Sequence, residues 1–113
     1  MELEYISMRD EMIAVTAKMN VKQGSELEFE RSMLDLVSKV NDNEPGVIFY
    51  RLCLDSDGNY MVIELYEDEQ AVKDHVDSDH LKAAGPSFKG IMAGPPEIQR
   101  YDVLGHARPT KPG

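Results

Sequence analysis

The amino-acid sequence predicts a single α+β domain, in which a four-stranded antiparallel sheet carries helices on one face. Four short segments rich in apolar residues and bounded by turn formers are typical of strands, and segments between them repeat apolar residues at helical spacing. The resulting order is strand, helix, strand, strand, helix, strand, which is the ferredoxin-like βαββαβ arrangement. With 113 residues, 42% of them hydrophobic, the chain has the size of one domain with a modest core.

The first half of the domain is predicted to be a strand, a long helix and a second strand. Residues 12–19 alternate between two faces and form strand one. Ser25 followed by Glu28 matches a capping box, in which both side chains satisfy free backbone amides at a helix start. Turn formers and a proline in residues 41–46 end the helix, and strand two covers residues 47–54. The buried stripe of the helix comprises Phe29, Met33, Leu36, Val37 and Val40.

A hairpin opens the second half. Residues 55–59 are aspartate, serine, glycine and asparagine, which suit a tight reversal, so strand three, residues 60–66, pairs antiparallel with strand two. Asp68 is expected to cap the second helix, and Ser78 to cap a further turn.

The chain then approaches its last strand through helix breakers. Gly85 and Pro86 are expected to end the helix, with a separate helical piece over residues 87–92. Strand four is predicted over residues 97–104. We expect residues 1–11 to be an N-terminal extension, residues 12–105 to form the domain and residues 106–113 to be a disordered tail.

Strand three indicates that the sheet is apolar on both faces. Its purely apolar residues are Met61, Ile63 and Leu65, and the opposite face carries Tyr60, Val62, Glu64 and Tyr66. Because both helices lie on one side, the other face would be a large exposed apolar patch in a monomer, which soluble proteins avoid. Two copies that pair their sheets remove the patch. The sequence therefore predicts a homodimeric α+β barrel.

Charge and cysteine content limit the partners and the compartment. The formal net charge of −9 repels phosphate backbones and anionic lipid, so neither nucleic acid nor a membrane is an expected partner. Cys53 is the only cysteine, which excludes an intrachain disulfide and favours a reducing compartment. Since no segment has the length of a membrane span, we expect a cytoplasmic protein.

A small-molecule pocket is expected between the sheet and the helices, where Glu64, Tyr66 and His75 converge. His75 projects from the packed stripe of the second helix, and imidazole is a suitable base near neutral pH. Glu64 is the expected partner that fixes its tautomer. The alternative is a histidine that only fills the edge of the core. Tyr66 is a candidate phenol donor to a substrate oxygen, and the alternative is a core aromatic.

Cofactor sites are not predicted. His80 is expected to be an exposed or capping residue, and its separation of five residues from His75 does not suit a metal site on one helix face. The sequence also lacks a glycine-rich phosphate loop, so flavin, nicotinamide and ATP are not expected.

Three segments resemble the antibiotic biosynthesis monooxygenase family, which includes small bacterial quinol monooxygenases. They are EPGVIFYRLCLD, YMVIELYEDEQAVKDHVDSDHLKA and PEIQRYDVL. The resemblance implies a dimeric α+β barrel that oxygenates a phenolic or quinol-like compound without metal or flavin. In such a reaction a base deprotonates the substrate, and the anion passes an electron to oxygen. His75 would be the base, Glu64 its orienting partner and Tyr66 a third catalytic group, and the candidate substrate contacts are Tyr50, Tyr60, Val62 and Val72.

The sequence departs from part of this family on strand three. Monooxygenases of aromatic polyketides carry an asparagine and a tryptophan at the places that look like Val62 and Tyr66 here. The haem-degrading branch also depends on a tryptophan, and this chain has none, so haem degradation is not expected. Two alternatives to a monooxygenase remain open: an isomerase or tautomerase that uses the same base, and a noncatalytic dimer that binds a small metabolite or supports a stress response.

Overall fold

A computed structural model describes residues 11–107, so most of the predicted N-terminal extension and the end of the predicted tail lie outside the described residues. The four strands form one antiparallel sheet in the order β2-β3-β1-β4, with the helices packed on one side, which confirms the predicted α+β fold class. The elements are β1 (Ile13–Met19), α1 (Glu26–Asn43), β2 (Val47–Leu54), β3 (Tyr60–Tyr66), α2 (Glu69–Val76), α3 (Asp79–Lys89) and β4 (Glu97–Asp102). No helix among residues 11–107 combines the length and apolar character that a membrane crossing requires.

Strand register divides the side chains of the sheet between two faces. Val15 of β1 and Tyr50 of β2 both lie opposite Glu64 of β3, so these three share one face. The helices pack on this face, although β4 at the edge of the sheet is exposed along its whole length. The other surface, called the open face below, carries Ala14, Thr16, Lys18, Phe49, Arg51, Cys53, Met61, Ile63, Leu65, Glu97, Gln99 and Tyr101.

The main core lies between α1 and the helix-covered face of the sheet. The predicted stripe of α1 is confirmed, since four of its residues are buried and Val37 packs against them. Phe29 is completely buried, and its ring centroid lies 4.8 Å from that of Tyr60. Burial of this apolar stripe stabilises α1 more than the intrinsic helix propensity of its residues does.

Two of the three predicted helix caps form. The carboxylate of Asp68 accepts a hydrogen bond of 2.8 Å from the amide of Ala71, and the hydroxyl of Ser78 accepts one of 3.3 Å from Leu81. The capping box at Ser25 is wrong, because the Ser25 side chain makes no capping bond. The Glu26 carboxylate instead accepts a hydrogen bond of 2.8 Å from the backbone amide of Gly24, two residues before α1 begins.

The prediction that Gly85 and Pro86 end a helix is also wrong, because α3 continues through both to Lys89. In a helix the proline ring clashes with the carbonyl four residues earlier and with the Cβ and amide of the preceding residue. Gly85 has no Cβ, so that part of the clash is absent. The amide that proline lacks is lost at an exposed position of α3. The last strand ends at Asp102 instead of Leu104, although the amide of Val103 still donates to the carbonyl of Met12 at 3.2 Å.

The turn between α1 and β2 packs tightly against α2. A Cβ on Gly46 would lie 2.7 Å from the Cβ of Ala71, so only glycine allows this approach. The carbonyl of Gly46 also accepts a hydrogen bond of 2.9 Å from the amide of Glu67. These contacts place Glu44, at the end of α1, beside the side chains of α2 and α3.

Candidate functional site

An apolar cavity of about 340 Å³ lies between the helix-covered face of the sheet and the three helices. All four strands and all three helices contribute to its wall. Most of the lining is aliphatic or aromatic, and the polar side chains in it are Tyr50, Glu64, Tyr66 and His75. The volume is within the range of small-molecule pockets, and a few polar groups in an apolar wall are typical of such sites.

The cavity brings together five of the seven residues named from the sequence. Its lining includes Tyr50, Val62, Glu64, Tyr66 and His75. Tyr60 and Val72 do not line it. The Tyr60 hydroxyl donates to the Glu30 carboxylate, and this bond raises the pKa of Tyr60 to about 12. Val72 packs against the smaller core cluster formed by Ile13, Val15, Tyr66 and Ala71.

His75 is held by Glu44 and not by Glu64, which corrects the pairing expected from the sequence. The Nδ1 atom of His75 lies 3.0 Å from each carboxylate oxygen of Glu44. Both groups are buried, with 8% of the His75 side chain and 5% of the Glu44 side chain exposed. A buried carboxylate needs hydrogen-bond donors, and Nδ1 of His75 supplies one. This contact with Glu44 also fixes the orientation of the imidazole ring.

Glu64 is paired with Tyr66. The Tyr66 hydroxyl donates to Oε1 of Glu64, and both residues are buried. Burial raises the pKa of the Glu64 carboxyl, while the bond from Tyr66 and the neighbouring His75 oppose the shift. Burial, together with the charge of Glu64, also raises the pKa of Tyr66, so this phenol remains protonated and serves as a donor.

The imidazole of His75 lies between two phenol rings. Its centroid is 5.1 Å from the Tyr50 ring and 5.6 Å from the Tyr66 ring. Burial, and then the charges of Glu64 and Glu44, raise the pKa of Tyr50. The Tyr50 hydroxyl makes no hydrogen bond to any residue in the range 11–107, so it is available to a molecule in the cavity.

His80 lies against the same carboxylate, which corrects the expectation of an exposed surface histidine. Its Nε2 atom contacts Oε2 of Glu44, and only 13% of its side chain is exposed. The donor atoms of Glu44, His75 and His80 lie within 4.8 Å of one another. One carboxylate and two imidazoles are ligands that zinc-type ions prefer, so this cluster can hold a metal ion.

Comparison with known proteins agrees with the fold and identifies the family. The sequence profile of the antibiotic biosynthesis monooxygenase family matches residues 12–86. The chain belongs to this family. A candidate antibiotic biosynthesis monooxygenase from Caulobacter crescentus is 38% identical, with 89% of this chain and 97% of that chain covered and a TM-score of 0.79. Among proteins of curated function, none matches the chain.

Two further solved structures are similar to this chain. A conserved protein from Methanosarcina mazei is 26% identical and covers 88% of this chain and 98% of its own, with a TM-score of 0.76. A candidate antibiotic biosynthesis monooxygenase from Nitrosomonas europaea is 18% identical, covers 84% and 92%, and has a TM-score of 0.78. At that identity the last likeness concerns the fold alone.

In this member of the antibiotic biosynthesis monooxygenase family, Glu44 is the site residue that the sequence did not reveal. It stands between asparagines and a Pro-Gly pair, a composition typical of an exposed turn. In the sequence Glu44 only precedes Pro45 and Gly46, and the approach of Gly46 to Ala71 is visible in the structure alone. Its partners are 31 and 36 residues further along the chain, beyond the reach of any local pattern.

Proposed function

We propose that the chain is a cofactor-independent monooxygenase, which oxidises a small aromatic or quinol-like compound with O2 in the apolar cavity. The observation that carries this proposal is the buried imidazole of His75, held through Nδ1 by Glu44 at the wall of that cavity. When Nδ1 donates to Glu44, Nε2 carries the lone pair that can accept a proton. Membership of the antibiotic biosynthesis monooxygenase family supports the reaction class.

The substrate supplies all the electrons in the proposed reaction. His75 accepts a proton from the substrate, and the resulting anion transfers an electron to O2. The radical pair combines at a ring carbon and forms a peroxide. His75 returns its proton to the peroxide. The remaining C–H bond and the O–O bond then break, so one oxygen atom stays as a carbonyl, and the other leaves as hydroxide, which takes up the released proton and becomes water. A CH2 group and O2 thus give a carbonyl group and water.

The two phenols supply orientation rather than proton removal. The raised pKa values of Tyr50 and Tyr66 keep both hydroxyls protonated, so neither competes with His75 as the base. The Tyr50 hydroxyl can donate to an oxygen atom of the substrate, whereas the single proton of the Tyr66 hydroxyl is given to Glu64 and holds that carboxylate in place. The apolar wall favours a flat aromatic ring and excludes the water that would hydrolyse or protonate intermediates.

A homodimer in the cytoplasm is part of this proposal. The open face exposes Ile63 to 37%, and Met61, Phe49 and Cys53 beside it are partly exposed. Contact between two open faces would remove this apolar surface from water and leave the helix-covered cavity of each subunit in place. The single cysteine is consistent with a reducing compartment.

Oxygen consumption tests the reaction. We expect O2 uptake with menadiol or an anthrone, and a decrease of about 100-fold or more in His75→Ala, since a general base contributes about 10²–10⁴-fold. Glu64→Gln is expected to lower turnover while the protein remains folded. His106→Ala and Glu67→Gln are the matched controls, because both residues are exposed and lie outside the cavity.

The same assays separate the alternatives. Solvent deuterium exchange into the substrate without oxygen consumption would indicate an isomerase or tautomerase. Ligand binding without either change would indicate a noncatalytic binding protein. Equal oxygen uptake by His75→Ala and the unaltered chain, with both folded by circular dichroism, would remove His75 from the reaction.

A further inference from the structure

The cluster of Glu44, His75 and His80 joins three separate elements. Glu44 follows the last residue of α1, His75 lies in the last turn of α2, and His80 lies in the first turn of α3. The two carboxylate oxygens are each 3.0 Å from Nδ1 of His75, and one of them also contacts Nε2 of His80. The proposed monooxygenase reaction uses only the Glu44–His75 contact, so His80 has no role in it.

We propose that Glu44, His75 and His80 form a binding site for one divalent transition-metal ion of the zinc type. Zinc binds carboxylate oxygen and imidazole nitrogen at about 2.0–2.2 Å, so tetrahedral ligand atoms are roughly 3.4 Å apart. The three donor atoms already lie within 4.8 Å of one another, and shifts of about 1 Å in side-chain position bring them to that geometry. Three protein ligands leave one position for water.

Two helix ends and one carboxylate favour a cation at this place. The C-terminal end of a helix carries a partial negative charge, and both Glu44 and His75 lie at such ends, whereas His80 lies at the positive N-terminal end of α3. The carboxylate of Glu44 adds a full negative charge, with only 5% of its side chain exposed to water. A divalent ion bound to this carboxylate offsets these negative charges.

A second cavity gives a hydrated ion access to the cluster. It has a volume of about 220 Å³, and its lining includes Glu44, His80, Asn43, Asp74 and Ser78. These side chains are polar or charged and can hold the water molecules of an entering ion. Because His75 lines the apolar cavity and not this one, the ion and an aromatic substrate reach the imidazole from different sides.

Metal binding requires only a change of tautomer at the two histidines. Without an ion, the His75 Nδ1 proton and the His80 Nε2 proton serve the Glu44 carboxylate. With an ion, those nitrogens become ligands, and the protons move to Nε2 of His75 and Nδ1 of His80. No charged residue has to be left buried without a partner in either state.

Cobalt provides a spectroscopic probe of the site. Tag-free protein, dialysed against a chelator, is titrated with Co²⁺ in the absence of any substrate. We expect visible absorption bands of tetrahedral cobalt that saturate at one ion per chain and disappear when Zn²⁺ is added. No such bands, or bands that are unchanged in Glu44→Gln and His80→Ala, would overturn the proposal.

Matched variants locate the ion. Glu44→Gln and His80→Ala should each weaken binding by more than about 100-fold, since even outer partners of metal ligands contribute about 10–100-fold. Glu67→Gln and His106→Ala remove a carboxylate and an imidazole outside the cluster, so these variants should bind the ion as tightly as the unaltered chain. The unaltered chain gives a test that needs no variant: among its three histidines, zinc should shift the ring resonances of His75 and His80 but not of His106.

Zinc should also inhibit the reaction proposed above, and this consequence depends on that proposed function. A metal ion on Nδ1 leaves a proton on Nε2, so His75 can no longer accept one from the substrate. We expect zinc to stop oxygen uptake at the concentration that fills the site, with recovery after chelation. Zinc binding with unchanged turnover would exclude His75 as the base and leave the metal site intact, because binding is measured without substrate.

Discussion

Glu44 shows how a residue with an ordinary local sequence becomes part of a site. A carboxylate after a helix end is usually solvated, but the close packing of Gly46 on Ala71 draws the turn inward. Two imidazoles then replace water around the carboxylate. His75 was predicted from helical spacing because its neighbours Ala71 and Val72 are also on the packed stripe. The prediction that Glu64 holds His75 is wrong, because the spacing of residues in a sequence does not show which carboxylate lies nearer to the imidazole in the fold.

The stability of the protein should depend on pH through Glu64. Burial raises the pKa of this carboxyl above its usual value of 4.5, so the folded state binds the proton more tightly than the unfolded chain. Its contribution to stability is present below pH 4.5 and is lost as pH rises through the raised pKa. Glu64→Gln removes the ionising group and keeps an acceptor for Tyr66, so this variant should be more stable than the unaltered chain near pH 7.

Urea unfolding at several values between about pH 4 and about pH 8, at one protein concentration, measures this difference. The advantage of Glu64→Gln should shrink as the pH falls towards 4.5. Glu67→Gln is the control, because Glu67 is exposed. If the extra stability of Glu64→Gln does not change with pH, burial of the Glu64 charge is not what raises its pKa.

At the scale of elements, sequence patterns were most reliable where one periodicity continued without interruption. The bounds of β2 and β3 agree with the prediction, since turn formers precede β2 and a hairpin turn joins the two strands. The hairpin forms with the amide of Asp55 bonded to the carbonyl of Asn59 and with Gly58 at a φ of 84°. The Gly85–Pro86 pair was misread because each residue alone ends helices, whereas together the glycine relieves part of the proline clash.

The contact between the α1–β2 turn and α2 should not tolerate a methyl group. In Gly46→Ala the new Cβ would lie 2.7 Å from the Cβ of Ala71, so α2 must move away. We expect a loss of about 1–3 kcal/mol in the free energy of unfolding, which is typical of overpacking in a tight contact. Chemical denaturation measures it.

Gly90→Ala is the matched control for this change. Its Cβ would meet nothing within 4 Å, and the backbone at Gly90 has a negative φ that alanine adopts. The effect on stability should be within about 0.5 kcal/mol. Equal effects of the two substitutions would mean that the turn does not depend on close packing.

At the scale of the whole molecule, the sheet covers its two faces differently. The helices pack on one face around the apolar cavity, and none of the helices in residues 11–107 packs on the open face, where Leu65 is nevertheless buried. Arg51 on this face stacks over the Phe49 ring at 4.4 Å from its centroid, which shields part of one edge. Much of the remaining surface, around Met61 and Ile63, is apolar.

A charge on the open face should separate the proposed dimer. Ile63→Lys places an ammonium group where the second copy would pack, and burying an unpaired charge there is strongly unfavourable. Sedimentation velocity at micromolar concentration should show a dimer for the unaltered chain and a monomer for this variant. Leu27→Lys is the control, since Leu27 is 66% exposed on α1, away from the sheet. A monomeric unaltered chain, or a dimeric Ile63→Lys, would contradict the pairing of open faces.

The sequence by itself determined the α+β class, the order of the elements, the family and the face on which His75 lies. These follow from local periodicities, which depend on residues close together in the chain. Only the tertiary structure decided that Glu44 holds His75, that Glu64 pairs with Tyr66 and that His80 joins the buried cluster. The two contacts of Glu44 span 31 and 36 residues, because the ends of α1 and α2 and the start of α3 meet at one place, and no local pattern encodes that meeting.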